Sequence, residues 1–251
     1  MSGHSKWATI RRKKERVDAA RGRIFTKLIR ELTVAARAGG GDPTANIRLR
    51  GAIQAAKDAN MPQANIDKAV KRGTGELPGV SYEEGTLEAY GPGGVALLIE
   101  VLTDNRNRTT AEIRHILTKN GGRMGDAGSV AWMFKQQGLI TIDKGNVDEE
   151  VLMDAALEFG AEDVRAEESF YEVTAKPDAF QTVREGLRAK GVEYLEATLA
   201  KVPQNTVTPE EKDAGRILRL IGALEDHDDV QDVFSNFDAP LDLMERLMAE
   251  A

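Results

Sequence analysis

The sequence predicts an α+β protein of three domains: an N-terminal three-helix domain and two α/β domains, the last ferredoxin-like and inserted in the middle one. Three observations predict it. Apolar residues recur at helical spacing up to residue 78 and at strand spacing from Tyr82 onward. The pattern between residues 138 and 202 reads βαββαβ, the ferredoxin-like order. The segment beyond residue 202 reads as one helix and one strand, too little for a core of its own, so it returns to complete the sheet begun at Tyr82. The expected domains are residues 1–78, residues 79–137 plus 203–240, and residues 138–202.

The elements come in order along the chain. Ile24, Phe25, Leu28, Ile29 and Leu32 form one helical stripe, and the glycines at 39–41 close it. Asp42-Pro43 offers an N-cap and a first-turn proline to a second helix with Leu49, Ile53 and Ala56 inward. Pro62 opens a third, with Ile66, Ala69 and Val70 inward, and Gly73-Thr-Gly75 ends it. Residues 86–103 read as two strands joined by the turn Tyr90-Gly-Pro-Gly-Gly94. Val95 to Leu102 is nearly all apolar and is therefore a central strand. A helix is expected over Thr110 to Lys119, closed by Asn120-Gly-Gly122. A glycine-rich loop then leads into Val130, Trp132 and Phe134, which alternate as in a strand.

Within 138–202, a strand over 139–143 precedes a helix over Glu149 to Phe159. Short strands at 161–167 and 169–175 come next, then a helix opened by Pro177, then a strand over 192–202. Thr208-Pro-Glu-Glu211 reads as a capping box for a helix with Ile217, Leu220, Ile221 and Leu224 inward. Val230, Val233 and Phe237 mark a strand, and a short helix ends the pattern near Leu241 to Met248.

The chain carries a net charge of -7, but unevenly. Residues 1–78 hold 17 Lys or Arg against 7 Asp or Glu, a net of +10, and the remainder is at -17. A basic first domain in an acidic protein points to a phosphate-rich partner at one end. Alternatively, the basic and acidic faces meet across a domain or dimer interface, which leaves room for a weak homodimer and for a protein-interaction module whose ferredoxin-like domain pairs edge strands or mediates dimerisation. Aromatic residues are only 5% of the chain, so contact with nucleic acid is expected to be electrostatic before it is stacking.

Several chemistries lack their residues. With no cysteine there is no disulfide, thiol nucleophile or cysteine-ligated metal. Neither a phosphate loop nor a dinucleotide fingerprint nor a GxSxG elbow occurs. Of the three histidines, His4 lies in the basic lead-in and His115 on a helix. His227 stands in the acidic run Glu225 to Asp229, which reads as a turn in preference to a cation site. We therefore expect no enzyme, no metal and no cofactor. The basic start has no following apolar run and no stretch suits a membrane span, so a cytoplasmic protein without membrane association is the expectation.

The candidate nucleic-acid contacts are Lys6, Trp7, Arg11, Arg12, Lys13, Lys14, Arg16, Arg21, Arg23, Lys27 and Arg30. Their guanidinium and ammonium groups suit phosphates along a backbone. Trp7 either stacks on a base or anchors the arm to the helical bundle. Arg48, Arg50, Lys57, Lys68, Lys71 and Arg72 extend the basic surface. A second contact loop spans Gly121 to Ser129, with Arg123 and Met124 at an exposed tip and Asp126 and Ser129 beside them; its alternative reading is an ordinary connection.

These residues also carry a resemblance. Met1-Ser-Gly-His-Ser-Lys-Trp7 with Ile10 to Lys14, Gly22-Arg-Ile-Phe-Thr-Lys27, Asn60-Met-Pro62, Tyr90-Gly-Pro-Gly-Gly94, Thr103-Asp-Asn-Arg-Asn-Arg-Thr109 and Gly121 to Trp132 resemble the YebC/PmpR family along nearly the whole chain. The resemblance implies a helical domain followed by two α/β domains, one inserted in the other. It implies a transcriptional regulator that binds DNA, or a translation factor. Mitochondrial relatives activate translation of a cytochrome c oxidase subunit, and bacterial relatives are linked to relief of ribosomes stalled at proline-rich stretches. Promoter control demands discrimination between base pairs, whereas ribosome binding demands phosphate contacts and shape. No recognition-helix spacing is present and the chain is acidic overall, so the residues favour ribosomal RNA and the ribosome over DNA.

Overall fold

The structure, a computed structural model, describes residues 6–7 and 18–249; side chains are described for Lys6, Trp7 and residues 22–247. It has mixed α/β architecture, with a helical unit at the N-terminus and two four-stranded sheets.

Helices α1 (Asp18–Gly39), α2 (Ile47–Asp58) and α3 (Gln63–Gly73) bury Leu32, Ala35, Ala36, Leu49, Ala56, Ile66 and Ala69 against one another. The small residues let the helices approach closely. A Cβ on Gly73 would stand 2.4 Å from the carbonyl oxygen of Thr33. The cap of α2 differs from the expected Asp42-Pro43 pair: it is Asn46, buried, whose side chain accepts from Leu49 N and donates to Ala35 O and Gly40 O. Asp42 instead binds the amide and hydroxyl of Thr44. One amide side chain thus ends α1 and starts α2. Asn60 takes a left-handed φ of 59°, which asparagine tolerates. That turn drops Met61 into the core, and Pro62 starts α3.

The first sheet has the order β3-β1-β2-β8, antiparallel throughout, from β1 (Glu83–Tyr90), β2 (Ala96–Thr103), β3 (Arg123–Met124) and β8 (Val230–Ser235). The turn from β1 to β2 needs its glycines: Gly93 and Gly94 have φ of 69° and 75°, and a Cβ on Gly91 would lie 2.3 Å from Ile217. Helices α4 (Arg106–Lys119) and α7 (Glu211–Glu225) cover one face. There Leu97, Ile99 and Val233 meet Ile113, Leu117, Ile217 and Ile221. On the other face, Ala96, Leu98 and Phe234 meet Leu139 and Ala200 of the second sheet. Burial on both faces is why β2 is apolar at nearly every position.

The second sheet has the order β5-β6-β4-β7, from β4 (Phe134–Asp143), β5 (Asp163–Ala166), β6 (Phe170–Ala175) and β7 (Glu196–Pro203). All its pairings are antiparallel. Helices α5 (Glu149–Glu158) and α6 (Phe180–Ala189) cover Ile140, Ile142 and Val173. A final helix, α8 (Leu241–Ala249), packs by Leu241 and Met244 into the first core.

Three further local expectations need correction. The helix α4 begins at Arg106 and not Thr110, because the Asn105 side chain accepts from Arg108 N. The helix α7 begins at Glu211 with no side-chain cap, so Thr208 forms no capping box. Ala131–Met133 is a 3-10 turn, not a strand. The Glu88 carboxylate accepts the amides of Val130 and Ala131 and so takes them out of any ladder.

Candidate nucleic-acid interface

The structure engages several of the sequence-selected cations inside the molecule. Lys6 is 6% exposed; its Nζ donates to Asp238 Oδ1 at 2.9 Å and to Ala239 O at 3.3 Å, with Glu167 Oε2 at 4.0 Å. Such partners are what an ammonium needs on leaving water. Trp7 is 5% exposed; its ring lies in the first core, and its Nε1 donates to the Glu225 carboxylate. It is an anchor, on α7 rather than on the helical unit.

Arg23, Lys27 and Arg30 lie along one side of α1 and meet the turn after α7. Arg23 pairs with Asp226 at 3.4 Å, and Lys27 donates to Glu225 O at 2.8 Å. Arg30 donates to Leu102 O, Asp228 O and the Asp229 carboxylate, and lies over the Tyr82 ring. The carbonyl end of a helix carries partial negative charge, so cations favour that end of α7. Arg11, Arg12, Lys13, Lys14 and Arg16 lie outside the described residues, as does the side chain of Arg21.

Asp229 is the centre of this contact, with a side chain 3% exposed. Besides Arg30, it accepts from Arg108 Nη2 at 2.8 Å and from Thr109 Oγ1 at 2.6 Å. Burial pushes its carboxyl up, but donation from Thr109, Arg108 and Arg30 prevails and holds it at about 2. Glu112, His227 and Asp229 come within 4.8 Å of one another. Yet both Asp229 oxygens already take donors, and His227 Nδ1 accepts from Asp229 N. The trio is a hydrogen-bonded knot. Sequence reading counts Asp229 only as part of the acidic turn Glu225 to Asp229 and gives it no partner, although Arg108 and Thr109 stand in the motif Thr103 to Thr109.

The second contact loop differs from its expected form. Arg123 and Met124 are paired to Tyr90 and Ala89, and Met124 is half-buried against the first core. Arg123 is exposed and stacks over the Tyr90 ring at 4.6 Å. Asp126 is exposed, while Ser129 is half-buried and offers its carbonyl to Tyr90 Oη and Trp132 Nε1. Glu88 holds the loop by accepting the amides of Gly128, Val130 and Ala131. Burial raises the Glu88 carboxyl, and these amides outweigh it, leaving the group below the usual range. Sequence reading misses Glu88; the only available signal is a charge between the core residues Leu87 and Ala89.

Among the described residues, a cleft and a set of exposed cations face solvent. A cleft of about 1400 Å³ lies between the helical unit and the two sheets, lined among others by Ile24, Arg48, Glu84, Arg106, Phe180 and Arg184. Its walls carry both signs of charge, and Arg48 is bound to Glu31 and Glu84. The cations stand on two helices, with Asp58 and Asp67 also exposed there. Arg50 and Lys57, two turns apart on α2, and Lys68 and Lys71, one turn apart on α3, are exposed and form no ion pair among the described residues. Among the described residues, no helix is long and apolar enough to cross a membrane.

Comparison with known proteins adds a family. Residues 5–76 match the TACO1/YebC protein N-terminal domain, and residues 82–237 match the TACO1/YebC second and third domain. A "Probable transcriptional regulatory protein" of Syntrophus aciditrophicus is 56% identical over 250 residues, covering 99% of this chain and 100% of the relative. One of Pelotomaculum thermopropionicum with the same description is 56% identical over 240 residues, covering 95% and 99%. A crystal structure of a conserved hypothetical protein from Aquifex aeolicus superposes with a TM-score of 0.82 at 46% identity, covering 89% of this chain and 92% of that one.

Proposed function

The chain belongs to the TACO1/YebC family, and from that premise we propose that it is a non-catalytic, nucleic-acid-binding regulator of gene expression. The observation that carries the reading is the set of exposed cations on α2 and α3 that form no ion pair among the described residues: Arg50, Lys57, Lys68 and Lys71. These lie outside the cluster that meets α7, so they are available to phosphates. Arg11, Arg12, Lys13, Lys14 and Arg16 add to them in sequence. In this reading the units are three domains, 1–78, 79–137 with 203–240, and 138–202, the last ferredoxin-like; the protein works in the cytoplasm.

The partner we favour is ribosomal RNA on the ribosome. Base reading in a major groove uses polar side chains from the start of an exposed helix. In α2 that start presents Ile47 and an Arg48 tied to Glu31 and Glu84, and in α3 it presents Gln63, bound to Asp67. Neither start presents a base-reading arrangement, which leaves phosphate and shape recognition by the exposed cations of α2 and α3. The names of the relatives, probable transcriptional regulatory proteins, support the other reading, transcriptional regulation, for which we would expect DNA as the partner.

Crosslinking in cells followed by sequencing of the bound nucleic acid separates these readings. The controls are Lys13→Glu/Lys14→Glu and Lys68→Glu/Lys71→Glu. Lysine-dependent crosslinks concentrated in ribosomal RNA are expected. Crosslinks at a few promoters and none on the ribosome would replace the RNA reading with the DNA one, and lysine-independent signals would remove both.

A further inference from the structure

We infer that Trp132, with the Arg123–Tyr90 stack beside it, is a platform for an unpaired base of single-stranded RNA. The inference rests on the nucleic-acid reading above and adds a site and a substrate form to it.

Trp132 is 65% exposed, the opposite of Trp7. An indole left in water forgoes a large burial gain, yet this one is held in place. Its Nε1 donates to Ser129 O at 3.1 Å. Its main-chain carbonyl accepts from Gln204 Nε2 at 3.3 Å, and the next carbonyl, of Met133, accepts from Gln204 N at 2.8 Å. The same Ser129 O accepts Tyr90 Oη at 3.1 Å, so one carbonyl ties both rings. Across the Tyr90 ring lies the Arg123 guanidinium. The turn under them is fixed by Glu88 through three amides. The indole is therefore exposed, oriented and supported before any partner arrives, which lowers the ordering cost of binding.

The surroundings choose the partner. An aromatic anchor for protein sits amid other apolar surface. Here the exposed neighbours along the chain are Asp126, Ala127, Gly128, Lys135 and Gln136, all small or polar. Arg123 and Lys135 are exposed and form no ion pair among the described residues. An exposed aromatic face with cations nearby, here Arg123 on the Tyr90 ring and Lys135 three residues along the chain, is the pattern that holds single strands, with the base on the ring and the phosphates on the cations. A duplex keeps its bases stacked on one another and offers this ring nothing.

The test measures affinity for a fluorescent single-stranded RNA of about 12 nucleotides and for a duplex of the same composition. The proteins are wild type, Trp132→Ala, Trp132→Phe and Lys68→Glu/Lys71→Glu. We expect Trp132→Ala to weaken single-strand binding about 5- to 150-fold and to leave duplex binding unchanged. Trp132→Phe keeps most of the affinity, since it keeps a ring. Wild-type indole emission falls as the single strand binds. If Trp132→Ala binds the single strand as wild type does while the double-lysine variant is weakened, the platform is overturned and the nucleic-acid reading stands. Equal loss on strand and duplex also overturns it. A wild-type protein that binds neither RNA removes the nucleic-acid reading along with it.

Discussion

The indole nitrogen of Trp7 lies 2.9 Å from Glu225 Oε2, and the main-chain oxygen of that same Glu225 takes Lys27 Nζ at 2.8 Å. One residue at the end of α7 thus holds the start of the chain and the side of α1. Trp7→Ala empties a buried site and is expected to cost about 3–5 kcal/mol. Trp7→Phe keeps most of the packing but leaves Glu225 short of a donor, at about 1 kcal/mol. Urea unfolding of the two variants checks the ranking; equal midpoints would show that the ring does not anchor the chain.

Asp229 makes the attachment of α1 sensitive to acid. Its carboxyl titrates at about 2 in the fold, against an ordinary value of 3.8. A depressed pKa stabilises the fold above the ordinary value, and that contribution is lost as pH falls through the depressed one. Asp229→Asn is therefore less stable than wild type at neutral pH, and the gap narrows as pH falls from about 4 towards 2. Asp229→Ala, which leaves Arg30 and Arg108 without their shared partner, costs about 3–5 kcal/mol at pH 7. Unfolding measured across that pH range reads both effects.

Gly73→Ala probes the closest approach in the helical unit. Its Cβ would meet Thr33 O at 2.4 Å and Ala36 Cβ at 2.7 Å, and a backbone oxygen cannot swing aside. We expect a loss of about 3 kcal/mol. Gly51→Ala, where a Cβ meets nothing within 4 Å, serves as the control and is expected to be neutral or stabilising.

Glu88→Ala removes the acceptor under the Trp132 turn. The loss of its amide hydrogen bonds costs the loop about 2 kcal/mol, read as roughly 30-fold faster hydrogen exchange at Gly128, Val130 and Ala131. The global unfolding transition moves much less. Unchanged exchange at those three amides would mean that something other than Glu88 holds the turn.

The limits of sequence reading have definite physical causes. Periodicity locates the strand over Val95 to Leu102 because that segment is buried on both faces, and it locates the three N-terminal helices because each buries one stripe. Caps and turns are harder, since they depend on which of several polar side chains reaches a backbone group. Asp42 and Asn46 are both competent caps, and Asn46 prevails because its amide can also donate to Ala35 O and Gly40 O. The alternation of Val130, Trp132 and Phe134 imitates a strand, and Glu88, some forty residues earlier, overrides it. Counting charge locates a basic region but cannot separate cations that face water from those that face carboxylates. The carboxylates that hold Arg30 and Lys6, Asp229 and Asp238, stand 199 and 232 residues further along the chain.

The way β2 sits between β1 and β8 has a consequence for how the molecule is made. β2 is complete at Thr103, but its second neighbour starts only at Val230, and Asn236 supplies the acceptor for Ala96 N. Between them the ribosome makes every strand of the second sheet, which finishes at Pro203. During synthesis the later unit therefore has all its strands while the earlier one still shows an unpaired, largely apolar edge, the kind of edge that invites wrong pairing. Closing the gap early, by a circular permutation that starts the chain at α7, would make β8 before β2 and shorten that exposure while keeping the strand order of the finished sheet.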